Sequence, residues 1–289
     1  MRYTGVILVM LAAFFWGISG GIGDILMNRG WDPIVISFYR GAIGFVCFSL
    51  WFLFHKELKW EISTRLVMWS LLAGIGVAGN FTFYFLSIED SSISVAATLM
   101  YAAPVFVLLT SILLLLERST WFKWLCIAGV VMGIILLTGA YNAGDSSVTL
   151  FGAATGLMAG VSYAVFIFGF RNAALIGKPP TTLTIAFFSF CFILFLFMDK
   201  TVALDVLSSS DIGWFLLVGI AGAGVPFIFY VFGLRRTAPT TASMVAMIEP
   251  VTASLFGLLI MGNQLSAIQF SGMGLILFTI TFLSVRQSE

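Results

Sequence analysis

Long apolar runs separated by short polar joints recur from one end of the chain to the other. A helix needs roughly 17 to 25 apolar residues to cross a bilayer. Runs near that length lie at about 4–27, 33–54, 66–87, 93–116, 120–140, 149–170, 181–198, 212–234, 238–261 and 267–285. The pattern predicts an all-α membrane protein of ten transmembrane helices. The first run is too long for the apolar core of a secretory signal and lacks a convincing small-residue cleavage site, so it is expected to remain as a helix.

The runs fall into two sets. Displacing the sequence by 147 residues lays Gly5 on Gly152, Ala12 on Ala159, Trp16 on Tyr163 and Pro33 on Pro180. A displacement of 146 lays Phe81 on Phe227, Tyr84 on Tyr230, Ala96 on Ala242 and Pro104 on Pro250. Helices one to five thus correspond to six to ten, with a first repeat at 1–140, an external polar linker at 141–148 and a second repeat at 149–289. Each repeat holds an odd number of spans, so the second enters the membrane from the opposite side. The two are then inverted copies about a pseudo-two-fold axis in the membrane plane, and such halves enclose a cavity able to open to either face.

Charge fixes the expected orientation. With the N-terminus inside, the cytoplasmic segments hold Arg2, Lys56, Lys59, Arg65, Arg118, Lys123, Arg171, Lys178, Arg235, Arg236 and Arg286, eleven of the fourteen Lys and Arg. The opposite face holds Arg29 and Lys200, and Arg40 lies within the second helix. That bias puts both termini in the cytoplasm. The charged joint 55–65 and the acidic joint 199–211 read as solvated helix ends.

Composition narrows the function. Apolar residues make up 60% of the chain and charged ones 9%, against about a quarter charged in soluble domains. A net charge of +1 without a basic patch argues against nucleic acid as a partner. Cys47, Cys126 and Cys191 sit singly in apolar runs, which indicates packing and neither a metal site nor a disulfide framework. The single histidine, His55, lies in a polar joint, so an enzyme using an intramembrane imidazole base is not expected. No catalytic residue and no cofactor are assigned.

Glu249 and Pro250 stand side by side in the middle of the ninth run. An ionised carboxylate at that depth costs roughly 2.5 to 3.5 kcal/mol in lipid, so Glu249 must face protein or water. Desolvation disfavours the anion, so a carboxylate whose exposure alternates takes up and releases a proton. Glu249 is therefore a proton-coupling candidate, beside the simpler reading of a packing hydrogen bond. Pro250 cannot donate to the carbonyl of Ala246, which makes it a hinge, as is Pro104 at the matching place in the first half. Asp24 and Arg40, in the outer halves of adjacent helices, are expected to form a buried ion pair that doubles as an external gate. Asn80 shares a helix face with Tyr84 and reads either as a cavity hydrogen-bonder or as an interhelical contact. Trp16 with Tyr163, Phe81 with Phe227 and Tyr84 with Tyr230 occupy matching places in the two halves, and Tyr101 and Phe166 also lie within apolar runs. A cavity lined by them suits an amphipathic organic substrate, cations included. Glycines such as Gly129 with Gly133, and Gly74, Gly76 and Gly79 against Gly219, Gly222 and Gly224, mark tight helix crossings.

LAAFFWG at 11–17, Pro33 with SFYRGAIG at 37–44, AATLMYAAPVFVLLTSILLLLERST at 96–120 and IEPVTASLFGLLIMGNQLS at 248–266 resemble the drug/metabolite transporter superfamily, in its bacterial ten-helix branch of two EamA-type repeats. The resemblance spans essentially the whole chain. It covers Trp16 with Gly17, Arg40, Pro104, Pro250 and the acidic helix end at Glu117, whose second-half counterpart here is Asn263. It implies a cavity lined by helices three, four, eight and nine with parts of one and six. The expectation is a secondary transporter that exports amino acids or related small metabolites by alternating access and works as a monomer. The substrate would contact Trp16, Asn80, Tyr84, Tyr101, Tyr163, Phe227, Tyr230 and Glu249. Open alternatives are an importer or exchanger of small organic cations on the same fold and, from other classes, a passive channel or a membrane enzyme.

Overall fold

A chain in hydrocarbon must satisfy its backbone groups internally, which leaves helices as the economical solution for these runs. The structure, a computed structural model, describes residues 3–54, 62–145 and 148–286. Among the described residues its only regular secondary structure is helical, and ten helices or helix pairs are long and apolar enough to span a membrane. His55, Lys56 and Lys59 of the predicted charged joint, and Arg2, lie outside the described residues.

The spans are α1 (Thr4–Asn28), α2 (Pro33–Phe54), α3 (Thr64–Glu89), α4 (Ile93–Met100) with α5 (Ala103–Leu113), α6 (Trp121–Thr138), α7 (Leu150–Ile176) and α8 (Pro179–Phe197). After a short surface helix, α9 (Lys200–Ser208), come α10 (Ile212–Gly219) with α11 (Pro226–Leu234), α12 (Pro239–Val245) with α13 (Ile248–Ile260), and α14 (Ala267–Arg286). Side-chain caps set several helix starts, as Ser63, Ser92, Thr120 and Thr149 each accept a hydrogen bond from a backbone N–H three residues on.

Three predicted single helices are broken. The fourth and ninth spans divide at 101–102 and 246–247, and Pro104 and Pro250 each lie in the first turn after the break, where a missing N–H is tolerated. The Ala246 carbonyl that Pro250 leaves free accepts instead from the Glu249 N–H at 2.9 Å. The eighth span carries a π turn at Ile220–Gly224, closed by the Val225 N–H on the Ile220 carbonyl at 3.0 Å. Two boundaries also move. The sixth span runs to Ile176, so Arg171 is helical, and the joint expected at 199–211 contains α9, capped by the Asp199 carboxylate on Thr201 and Val202.

Glycines let backbones meet. α3 packs on α7 along much of its length, where a Cβ on Gly76 would lie 2.5 Å from the Phe166 nitrogen and one on Gly169 would lie 2.7 Å from that of Ala73. α1 packs on α11 and α13, α2 on α8, and α6 on α14. The two faces of the bundle differ. On the face carrying Arg118, Lys123, Lys178 and Arg235, α5 packs against α12, every residue of which is buried, and Arg235 donates to the carbonyls of Ala174 and Gly177 at the end of α7. On the other face α4 makes no comparable packing with α13. There the joint after α1 is tied to the joint before α10, with Asp211 paired to Arg29 and accepting from the Trp31 indole at 2.8 Å. Those hydrogen bonds hold the Asp211 carboxyl below the usual aspartate range.

Gly76→Leu should therefore cost about 1 to 3 kcal/mol through overpacking and lower the detergent melting midpoint. Gly23→Ala, where nothing lies within 4 Å of the new Cβ, should leave that midpoint unchanged.

Candidate functional site

The site is built where the broken spans place their ends. Glu249 stands in the first turn of α13, and α1 is held close to it by Gly17, whose Cβ would lie 2.6 Å from the Glu249 carbonyl and 2.5 Å from Thr252 Cβ. This close approach explains why glycine follows Trp16. The Tyr101 hydroxyl, at the break between α4 and α5, donates to Glu249 Oε1 at 3.5 Å. Tyr84, Tyr163 and Tyr230 all lie within the electrostatic reach of the same carboxylate.

Arg40 reaches this centre from α2. Its guanidinium lies over the Phe81 ring at 5.1 Å, a cation–π contact, and its charge acts on Glu249 through space without a salt bridge. The arginine stem passes against Gly222 of the π turn, where a side chain would collide with Arg40 and Ser19. The turn thus provides the recess that admits a long basic side chain.

Predicted site residues fall into two layers. Asp24, Arg40, Phe81, Tyr84, Tyr101 and Glu249 are half-buried, whereas Trp16, Asn80, Tyr163, Phe166, Phe227 and Tyr230 are buried. In the buried layer Trp16 packs on Tyr230 and Phe227 at 4.8 and 5.0 Å between ring centroids, and Tyr163 packs on Phe166 at 4.4 Å. The Trp16 indole N–H and the Tyr163 and Tyr230 hydroxyls are buried there without a protein partner. Three orphan donors beside a carboxylate mark a place built for an acceptor or for water.

Two sequence expectations change. Asn80 donates to the Ala159 carbonyl on α7 at 3.0 Å, which makes it an α3–α7 contact. The expected Asp24–Arg40 ion pair is not formed, because Arg40 turns toward the π turn and Phe81. Residues not foreseen at the site are Ser19 and Gly222, and the matching of Gly222 with Gly76 was the available signal.

A second polar centre closes the basic face. Glu117 Oε1 accepts from the Thr240 N–H at 3.0 Å and its hydroxyl at 2.9 Å, and Oε2 accepts from Lys123 Nζ at 2.7 Å. Burial pushes the Glu117 carboxyl up, but these hydrogen bonds and the Lys123 charge outweigh it and hold the group below the usual carboxylate range. A separate hollow of about 370 Å³ lies between α3, α5 and α7, lined by Trp69, Phe106, Leu109, Val161 and Phe168. It is apolar and stands apart from Glu249.

Ten apolar spans with a polar, aromatic-walled centre define a polytopic membrane transporter. The chain matches the EamA-like transporter family over residues 3–139 and again over 150–285, and it belongs to that family, within the drug/metabolite transporter superfamily. It is 25% identical over 283 residues to an uncharacterized transporter of Archaeoglobus fulgidus, covering 96% of this chain and 94% of that one. It is 22% identical over 285 residues to the uncharacterized transporter YwfM of Bacillus subtilis, covering 96% and 93%. The threonine/homoserine exporter RhtA of Escherichia coli K12 is 26% identical over 208 residues, 72% of this chain and 68% of the exporter. A solved crystal structure aligns over 100% of both chains with a TM-score of 0.75 at 17% identity, which supports the same fold.

The two layers predict unequal reactivity. With the native cysteines replaced, Tyr84→Cys should react with a hydrophilic thiol reagent in detergent at least tenfold faster than Tyr230→Cys, read by mass spectrometry.

Proposed function

We propose that the protein is a secondary transporter that exports amino acids by alternating access, with Arg40 and Glu249 as the opposite poles of its substrate site. The observation that carries this reading is that, among the described residues, Arg40 and Glu249 each lack an ion-pair partner: Arg40 rests on the Phe81 ring, and Glu249 takes the long hydrogen bond from the Tyr101 hydroxyl at the break in the fourth span. Unpaired opposite charges in a low-dielectric site favour a zwitterion, whose carboxylate meets the guanidinium and whose ammonium meets Glu249. The N-terminus of α5, which lacks an acidic residue, adds to the field favouring the carboxylate. The threonine/homoserine specificity in the name of RhtA is consistent with that chemistry.

We read the architecture as two inverted five-helix repeats, 1–140 and 149–289, with both termini in the cytoplasm and the chain acting as a monomer in the inner membrane. Support comes from the double family match, the paired breaks at Pro104 and Pro250, and the lysine and arginine bias. On this reading the basic face is cytoplasmic and closed, and the space between α4 and α13 opens outward. Glu249 is the proton-coupling group. Facing outward, it takes a proton from the more acidic side and so releases the ammonium; facing inward, it gives that proton to the cytoplasm and, as the anion, binds the next ammonium.

The test is counterflow of radiolabelled amino acids in proteoliposomes. Threonine or a close analogue should exchange, whereas the matching amine and the matching carboxylic acid should not compete. Hydrogen bonds to charged groups contribute about 1.5 to 3 kcal/mol, so Arg40→Ala should weaken half-saturation by roughly ten- to a hundredfold. Glu249→Gln, fixed in a neutral form, should weaken half-saturation for the zwitterion as Arg40→Ala does and lose net transport driven by a pH gradient. Equal transport of a simple amine would overturn the zwitterion assignment, and unchanged pH-driven flux in Glu249→Gln would overturn the coupling role.

A further inference from the structure

At the end of the fourth span, the Glu117 side chain grips the start of the ninth through Thr240. Its surroundings recur 146 residues later. The Glu117 N–H donates to the Ser111 carbonyl at 3.2 Å, and the Asn263 N–H donates to the Gly257 carbonyl at 3.0 Å. Each loop reverses through a left-handed residue, Leu115 at φ +55° and, one position beyond its counterpart Met261, Gly262 at φ +75°. Thr120 Oγ1 caps the Lys123 N–H at 3.3 Å, and Ser266 Oγ caps the Gln269 N–H at 3.2 Å. The two loops are one device built twice, with Glu117 and Lys123 in the first copy and Asn263 and Gln269 in the second.

The receiving ends also correspond. Thr240 is the second residue of α12, and Ser94, its counterpart 146 residues earlier, is the second residue of α4. In this structure the Thr240 N–H and hydroxyl are both taken by Glu117. Neither the N–H nor the hydroxyl of Ser94 makes a hydrogen bond as donor among the described residues. The Asn263 amide makes none either, and rests against Gly257, where a Cβ would lie 2.9 Å from Nδ2. α5 and α12 are packed together, and α4 and α13 are not. One half of a paired arrangement is engaged and the other half is present but disengaged.

We propose that Asn263 is the outer-face latch of this transporter: when α4 closes on α13, its amide oxygen accepts from the Ser94 N–H and hydroxyl as Glu117 does from Thr240. The inference rests on the inverted-repeat, alternating-access reading above. It adds a bias. The inner latch is a carboxylate backed by Lys123, whereas the outer one is a neutral amide whose neighbour Gln269 is already committed to the Leu137 carbonyl at 3.1 Å. Charge-assisted hydrogen bonds are roughly twice as strong as neutral ones, so the outward-open arrangement is the resting state. Export then requires the inner latch to be broken from the cytoplasmic side.

The experiment uses full-length protein in proteoliposomes, with the native cysteines replaced. Spin labels at Ile93→Cys and Leu259→Cys, both exposed at the outer ends of α4 and α13, report the outer opening. A long distance should dominate at rest. Asn263→Glu and Glu117→Asn should each raise the short-distance population severalfold, and Ser94→Pro, which removes the N–H and the hydroxyl, should abolish the Asn263→Glu effect. Independently, an Asn263→Cys and Ser94→Cys pair should form a disulfide under oxidant, which requires Cα atoms within roughly 4.4 to 6.8 Å. It should also hold the spin-labelled pair at the short distance. Two distance populations with an Asn263→Glu effect indifferent to Ser94, or no disulfide, would overturn the latch while leaving alternating access intact. A single distance in every variant would overturn both.

Discussion

Everything at the centre of this protein follows from where backbone groups can be left unpaired. A helix that crosses the bilayer without interruption offers nothing polar to a substrate, and one that breaks exposes N–H and C=O groups that lipid cannot satisfy. The chain breaks its fourth and ninth spans at mid-depth and surrounds the ends with protein. The prolines sit just after the breaks, Glu249 caps the deficit at Ala246, and the glycines of α1 and α7 bring unbroken backbone against the broken spans. The polar centre is therefore a by-product of the same discontinuity that lets the two ends of each broken span pack differently.

The charges obey a related logic. Buried charges are normally matched by a partner, and truncating one partner is costly. At the two surfaces the rule holds, with Arg29 on Asp211 and Lys123 on Glu117. At the centre it is relaxed, since Arg40 rests on the Phe81 ring and Glu249 receives only the long hydrogen bond from Tyr101. Aromatic rings suit this duty because they stabilise a cation through their faces and give it up without rearranging. On the reading proposed above, a site that must release its ligand on every cycle gains from partners that hold it weakly.

Much of this was legible in the residues, and what was not has identifiable causes. Ten spans follow from apolar run length, and the matched prolines mark the two mid-membrane breaks, although run length alone shows each as one continuous helix. The aromatic wall around Glu249 was legible as tyrosines within apolar runs. Asn80 was ambiguous because an amide serves a cavity or a neighbouring carbonyl equally well, and only the position of Ala159 decides. The Asp24–Arg40 pairing failed because sequence proximity says nothing of a recess on another helix. The π turn is invisible to hydropathy, since inserting one residue in IAGAG leaves every position apolar or small. α9 was hidden for the opposite reason: its polar composition reads as a joint, although its Asp199 cap was visible.

The π turn has a consequence for the history of the chain. Arg40 belongs to the first half, and the recess that receives it, at Gly222, belongs to the second. The position matching Arg40 in the second half is Phe187, which packs on Phe227 at 4.8 Å, and the helix matching the π turn in the first half, α3, is unbroken. Two copies of the first half would carry two arginines and no recess, and two copies of the second would carry two recesses and no arginine. The halves are complementary parts: each matches the same family model, yet neither could replace the other.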